Sequence, residues 1–518
     1  MGNLVVTTPL GGLKGAAASE AGVRVFRGIP YAEAPVGERR FRPPVPVRPW
    51  SGVRPAVDFG PAAPQPTGGP LDGLVPGMTP GLVGEDCLSL TIWGPDEASG
   101  PRPVLVWIHG GAFMIGSSSL PTYDGARLVA EHDVMVVSIN YRLGALGFLD
   151  LRGHGGDRIG AVTNCGLLDQ LLALEWIRDN IASFSGDPTR ITIFGESAGA
   201  GSILHLLGAP AGKGLVHRAI LQSPGVHFTL DAGQADLVTR AVLGRLGISS
   251  GRLDRLQSLP WELVVEAQSA ALMEVMASIG AMPFHPVVDG TNVAEPPLRA
   301  LDAGRAAAVD VMVGGTSDEM QLFADPRARH AERDQLTRMA EDLLRGHPVR
   351  HLGVPADRAA TLVEFYAGRS ESSEEAWTDV LTDSTMRLPA MQVADAQCRW
   401  HPATFSYLFT WEAPRLGAFH AVDLPFTFGT FDVDGWGDFV GADVDAERLS
   451  TQMRAAWARF AASGDPTTDD LGPWPRYTAE GRETMELGRR CRVIGDPNGH
   501  IRQLWQPDRI PAVGRMEP

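Results

Sequence analysis

The chain has 518 residues, of which 44% are hydrophobic and 20% charged, with Lys+Arg 45 against Asp+Glu 61 and a formal net charge of −16. This is globular composition, so wholesale disorder is excluded. The acidic balance, with no Lys/Arg run, argues against nucleic acid or an anionic membrane surface as partner. The four cysteines (Cys87, Cys165, Cys398 and Cys491) are far apart and form no C-x-x-C, which excludes a zinc ribbon or a thioredoxin-type site. The N-terminus lacks the basic stretch and long apolar run of a secretory signal, and no apolar run reaches the roughly 18 residues needed to span a bilayer. The expectation is a soluble, cytoplasmic protein with reduced thiols, monomeric, and binding no metal or cofactor.

Short strands are expected near Leu4–Val6 and Val23–Phe26. Tyr31 to Pro49 is too rich in proline for a regular helix and reads as an extended wrap. Continuous apolar runs follow at Val104–Ile108, Val134–Ile139, Ile191–Phe194, Ala219–Leu221, Val309–Val313 and Phe405–Phe409. Runs apolar on both faces suit central strands covered by helices. Between the second and third, Leu167, Leu168, Leu171, Leu172, Leu174, Ile177 and Ile181 recur at helical spacing, with Asn180 and Gly186-Asp187-Pro188 marking the stop. The alternation predicts an α/β chain with a large, mostly parallel central sheet flanked by helices. No linker divides it, so residues 1–518 read as one domain. The segments 231–278 and 321–399 look like helical insertions that cap the C-terminal edge of the sheet.

Gly195-Glu196-Ser197-Ala198-Gly199 matches G-x-S-x-G, the strained strand-to-helix turn that exposes a nucleophilic serine. In a chain with 60 Gly the pattern arises by chance roughly 0.3 times, so its setting matters. Here a short strand precedes it and a small-residue helix follows. The loop after Val104–Ile108 reads His109-Gly110-Gly111-Ala112-Phe113. It lies where such a fold places backbone donors for a developing oxyanion, and Gly111, Ala112 and Ala198 are the candidate donors. His109 reads as structural. The chain order Ser, acid, His directs attention to His420, on a loop beyond Phe405–Phe409. His401 lies on the wrong side of that strand, and His285 reads as a packing residue. The acid should follow Val309–Val313, where position alone leaves Asp318 and Glu319 equivalent.

Taken together these stretches resemble the type-B carboxylesterase/cholinesterase family of α/β-hydrolases, including its bacterial para-nitrobenzyl-esterase-like members. The resemblance extends to Phe26–Ala32 (FRGIPYA), Glu85–Leu90 (EDCLSL), Asn140-Tyr141-Arg142, Gly166–Gln170 (GLLDQ) and Pro286–Gly290 (PVVDG). It implies an α/β-hydrolase fold and a serine esterase with Ser197 as nucleophile, His420 as base and Glu319 as acid. It further implies an oxyanion hole at Gly111, Ala112 and Ala198, with Ser223 and Glu196 as supporting residues. The expected substrates are small-molecule carboxylic esters, aryl and short-to-medium acyl, with bulky alcohols tolerated by the Gly-Gly-Ala loop. The expected acid limb of activity lies near the ordinary histidine value of about 6.5.

Three departures from the family pattern carry information. No cysteine precedes Cys87, so it should be a free thiol. No tryptophan occurs in 68–84, so choline esters are not indicated. Met320 stands where the family has glycine after the acid. The alternative activity is hydrolysis of a carbamate or activated amide by the same triad. A non-catalytic binding protein on this scaffold is a further alternative, opposed by the intact Ser, Glu and His. No G-x-G-x-x-G after a strand, Walker-type loop or H-E-x-x-H is present to support a cofactor enzyme.

Overall fold

The computed structural model describes residues 4–68, 75–97, 100–433 and 435–506. Fourteen strands occur among them: β1 (Val5–Thr8), β2 (Gly11–Lys14), β3 (Ala16–Ala17), β4 (Val23–Pro30), β5 (Val53–Pro55), β6 (Ser89–Pro95), β7 (Arg102–Ile108), β8 (Met135–Ile139), β9 (Gly186–Glu196), β10 (Arg218–Gln222), β11 (Asp310–Thr316), β12 (Thr404–Phe409), β13 (Thr484–Leu487) and β14 (Arg492–Ile494). Eleven build one sheet in the order β14-β13-β12-β11-β10-β9-β7-β8-β6-β4-β3, and β1, β2 and β5 form a small separate sheet. Neighbours from β8 through β13 run parallel, while the strands outside them pair antiparallel.

Every apolar run marked in the sequence lies in a strand, with ends displaced by no more than two residues except that β9 starts five residues before Ile191 and β11 ends three residues after Val313. The signature EDCLSL carries no strand expectation of its own, yet its last residues, Ser89 and Leu90, open β6. The first proline-rich stretch forms no α-helix and holds one 3₁₀ turn at Gly37–Arg39.

The pleat divides the core in two. Val104, Val106, Ile108, Ile191, Ile193, Ala219, Leu221, Val311 and Val313 point into one apolar cluster. Their neighbours Leu105, Trp107, Phe194, Ile220 and Met312 point into the other. Alternation of this kind follows from the two-residue period of a strand buried on both faces. Helix Cys165–Asn180 covers the first face and helix Val444–Ser463 the second. The segment 231–278 is helical with breaks (Ala232–Leu246, Asp254–Ser258, Trp261–Ile279). The segment 321–399 carries helices Arg333–Arg345, Ala359–Ala367, Ser373–Thr382 and Leu388–Cys398, and no strand among the described residues. Part of it packs with Ile501, Leu504 and Trp505 into a third apolar cluster.

The family-like motifs tie these layers together. Arg142 donates from Nε and Nη2 to both oxygens of Asp169 at 2.8 and 2.7 Å, fully buried. The Tyr141 hydroxyl donates to the His109 carbonyl at 2.7 Å, and Asn140 accepts from the Ser118 amide at 2.7 Å. All four cysteines are free, Cys87 among them. Cys165 is buried at the start of its helix, and burial pushes its thiol up to about 11.

Trp107 sits under the C-terminal end of the sheet, 4.8 to 5.0 Å from the rings of Phe194, Tyr123 and Phe428. Trp107→Ala is expected to destabilise the protein by about 3–5 kcal/mol, read as a lowered urea midpoint. A change below about 1 kcal/mol would contradict this packing account.

Candidate active site

The site is assembled where β7, β9, β10 and β11 end and the backbone crosses itself at close range. β9 runs to Glu196, and helix Ala198–Gly208 begins at once. Ser197 between them has φ +55°, ψ −120°, a conformation that ordinary L-residues avoid. It is held by its amide donating to the Gln222 carbonyl and its carbonyl accepting from the Gly201 amide, both at 2.9 Å. The flanking glycines are required by contact. A Cβ on Gly199 would stand 2.0 Å from the Ile108 carbonyl oxygen, and one on Gly195 2.7 Å from the same atom. Of twelve non-glycine residues with positive φ among those described, five lie on the segments carrying candidate residues: Ala112, Phe113, Ser197, Ser223 and Ala421.

The His109–Phe113 loop closes one side. A Cβ on Gly110 would stand 3.2 Å from Ser197 Cβ and 2.8 Å from the Glu196 carbonyl, so this backbone lies directly against the elbow. Gly111 has φ +105°, and a side chain there would overlap the Ile115 carbonyl at 2.2 Å. Among the described residues the Gly111 and Ala112 amides donate to no group. The Ala198 amide opens a helix and has no intrahelical acceptor. His109 stacks on Tyr141 at 4.5 Å with its pKa lowered to about 4 by burial, a structural role. His285 packs between Phe113 and Phe228, held near 3 by the same cause.

Beyond β11, the chain resolves the two acids that position could not separate. Glu319 is fully buried. Its Oε1 accepts from the Ser223 hydroxyl at 2.6 Å and the Thr316 amide at 2.7 Å, and its Oε2 lies 2.5 Å from His420 Nδ1. Burial works to raise its pKa, but His420 and these donors outweigh that and hold it below the usual glutamate value. Asp318 has another task. Its Oδ2 accepts from the Ala418 amide at 2.7 Å, clamping the acid loop to the histidine loop. Met320 lies within a short 3₁₀ turn, Glu319–Phe323, and its amide donates to Thr382 Oγ1 at 3.1 Å. Its φ is not positive, so glycine is not needed there.

His420 is carried by the loop after β12, with its amide donating to the Glu319 carbonyl at 3.1 Å. Its Nε2 lies 3.0 Å from Glu196 Oε1, at ion-pair distance but without the alignment of a hydrogen bond. Both ring nitrogens therefore face carboxylates. Burial disfavours the imidazolium, yet the charges of Glu196 and Glu319 override it and hold the pKa well above the ordinary histidine value. An acid limb at about 6.5 belongs to an ordinary imidazole, whereas two carboxylates face this ring. The Ser197 hydroxyl forms no hydrogen bond among the described residues. Ser197, Glu196, His420, Glu319, Ser223 and the Gly110–Ala112 backbone nonetheless form one contiguous cluster. His401 stands apart, its Nε2 3.7 Å from Asp310 at the opposite end of β11.

Residues not foreseen complete the cluster. Asp423 is buried three residues after His420 and accepts from Gln222 Nε2 at 2.8 Å; burial, then the charge of Glu196, pushes it up to about 7. The Phe323 ring lies 5.6 Å from that of His420 and is 38% exposed. An acid within one helical turn of His420 and an aromatic four residues after Glu319 were the available signals.

A large, mostly parallel sheet with a serine on a strained elbow and a buried Glu–His pair beyond it defines an α/β-hydrolase. The family model described as "Carboxylesterase family" matches residues 2–505. The para-nitrobenzyl esterase of Bacillus subtilis (strain 168) is 37% identical over 514 residues, covering 98% of this chain and 100% of that protein. A phenmedipham hydrolase of Pseudarthrobacter oxydans is 37% identical over 95% of each chain. Among solved structures, a thermophilic PNB esterase superposes with a TM-score of 0.86 at 36% identity, covering 97% of this chain and all of that one. The chain belongs to the carboxylesterase family and is a carboxylic ester hydrolase.

The crossing at Gly199 yields a direct test. Gly199→Ala forces the elbow away from Ile108, and a misplacement of about 1 Å is expected to cost at least about 100-fold in p-nitrophenyl acetate hydrolysis. Wild-type turnover in a folded Gly199→Ala protein would contradict the contact.

Proposed function

We infer that this carboxylesterase acts through Ser197, His420 and Glu319, on aryl and short-to-medium acyl esters with bulky alcohols tolerated. The observation that carries the reading is the buried chain Ser223–Glu319–His420, ending at the strained Ser197 elbow beside free amides. In the neutral state His420 Nε2 takes the Ser197 proton as Oγ attacks the ester carbonyl. The C–O bond to the alcohol breaks, the alcohol leaves with that proton, and an acyl-serine remains. Glu319 holds Nδ1 and stabilises the imidazolium formed in each half-reaction. The Gly111, Ala112 and Ala198 amides face the oxyanion. Water, deprotonated by His420, then releases the acid. The Phe323 ring, partly exposed against His420, offers an aromatic face to an aryl leaving group. A relative named for para-nitrobenzyl esters supports that choice.

The same reading takes residues 1–518 as one hydrolase domain, with 231–278 and 321–399 roofing the sheet's C-terminal edge. It takes the enzyme as a cytoplasmic monomer acting on a small-molecule ester. Four free thiols suit a reducing compartment.

The test is a panel of p-nitrophenyl esters from acetate to laurate beside a p-nitrophenyl carbamate and an anilide. Ser197→Ala should lose about 10⁶ in kcat on the esters, and acetate to hexanoate should exceed laurate. Retained turnover in Ser197→Ala, or preference for long-chain triglycerides at a lipid interface, would overturn the reading.

The carboxylates around His420 set the pH dependence. A base whose folded pKa is raised stays protonated, and idle, to higher pH. The acid limb of kcat/KM should therefore lie above about 6.5. Glu196→Gln removes one of the two charges and should bring the limb down. A limb at or below about 6.5 in wild type, unmoved by that substitution, would refute the electrostatic account.

A further inference from the structure

The acid loop is fastened from a side that the catalytic residues do not explain. Helix Ser373–Thr382 runs into a single π-helical turn, Asp383–Arg387, before helix Leu388–Cys398 resumes. A π turn inside a helix carries a local cost and recurs at functional positions. Two of its effects converge on the acid loop. Thr382 Oγ1, at its start, accepts from the Met320 amide at 3.1 Å. Arg387, at its end, sends Nη2 to the Ser317 carbonyl at 2.5 Å. These two bonds bracket Glu319 on both sides in sequence. Arg387 is in turn locked: Nη1 pairs with Asp383, whose other oxygen accepts from the Tyr366 hydroxyl at 2.6 Å, and Trp505 Nε1 donates to that hydroxyl at 2.8 Å. The chain of contacts runs from Trp505, near the C-terminal end of the described residues, to the carbonyl two residues before Glu319.

The geometry points to Arg387 as a positioning residue of the reaction: its guanidinium, fixed by Asp383 in the π turn, sets the Ser317 carbonyl and through it the reach of Glu319 to His420. It touches neither substrate nor a reacting atom. Glu319 must meet the Ser223 hydroxyl, the Thr316 amide and His420 Nδ1 at once, and a loop free to shift by a few tenths of an ångström would lose one of the three. Asp318 fixes the loop to the histidine loop and Arg387 fixes it to the helical insertion, so two separate segments restrain it.

The inference rests on the Ser197–His420–Glu319 reading above, and the test separates the two. Arg387→Met, Arg387→Lys and Trp505→Phe are assayed with p-nitrophenyl acetate across pH, in wild type and in Glu319→Gln. Arg387→Met should lower kcat about 10- to 100-fold with KM within about threefold, and shift the acid limb of kcat/KM downward as His420 loses its partner. Arg387→Lys, which keeps a donor, should recover most of the loss. In Glu319→Gln the Arg387→Met change should cost less than about twofold further, because there is no carboxylate left to position. Full additivity in that background, or Arg387→Lys no better than Arg387→Met, overturns the proposal. Should Arg387→Met not fold, Trp505→Phe decides: a downward shift of the limb supports the proposal, and an unmoved limb overturns it. Wild-type activity in Glu319→Gln alone refutes the triad reading instead, whatever the Arg387 variants do.

Discussion

The crossing of the Gly199 backbone and the Ile108 carbonyl, where an added Cβ would stand 2.0 Å from the oxygen, is the constraint on which the site depends. β7 and β9 are parallel neighbours at the centre of the sheet, and both end at this point. The helix that must leave β9 has room to turn only if no side chain intervenes, which makes glycine obligatory two residues before and two after Ser197. The turn then forces Ser197 into a positive φ, at a cost of about 1–3 kcal/mol that the surrounding packing offsets. The same crowding presses Gly110 onto the elbow and turns the next three residues, Gly111 to Phe113, into positive φ as well. The result is a hydroxyl and a set of unpaired amides at one place, produced by backbone sterics before any polar chemistry is considered.

Electrostatics supply the second layer. Glu196, Glu319 and Asp423 are all buried within one cluster around a single imidazole, in a chain that already carries −16. Three unpaired buried carboxylates would be ruinous. The structure resolves this by giving each a different environment. Glu319 receives three donors and stays ionised. Glu196 relies on the His420 ring at 3.0 Å. Asp423, with one donor from Gln222, is driven toward its neutral form. In the mechanism proposed above, the imidazolium is thus met by negative charge already in place, which costs no reorganisation at the moment of reaction.

What the sequence made legible follows from how local each signal is. Strands apolar on both faces announced themselves at Val104–Ile108 and Ile191–Phe194, because burial on two sides leaves no polar phase to misread. The elbow was legible because its glycines lie within two residues of Ser197. The choice between Asp318 and Glu319 could not be made from position, since adjacent acids differ only in where their side chains end. The distinguishing contacts, Ala418 for one and Ser223 with His420 for the other, lie 96 to 101 residues away. Glu196 as a neighbour of His420, Asp423 under it and Arg387 behind the acid loop were missed for the same reason. Each acquires its role from a partner that only folding brings near.

The family-like motifs outside the site show why resemblance succeeded where local reading stopped. Among the described residues, none of Asn140, Tyr141, Arg142, Asp169 or Glu85 makes a hydrogen bond or ion pair with the candidate triad. Arg142 and Asp169 form a buried, doubly bonded ion pair between the loop after β8 and helix Cys165–Asn180, and Arg40 pairs with Glu85 across the N-terminal wrap. Such pairs add little net stability over an apolar replacement, but removing one partner leaves a buried charge that is heavily penalised. Each residue of a pair is therefore constrained by the other, even where the chemistry lies elsewhere. Tyr141 makes the link explicit, because its hydroxyl holds the His109 carbonyl and His109 precedes the glycines facing Ser197. The pattern that identifies the chain is a set of girders, and the site is legible through them because they fix the loops on which it stands.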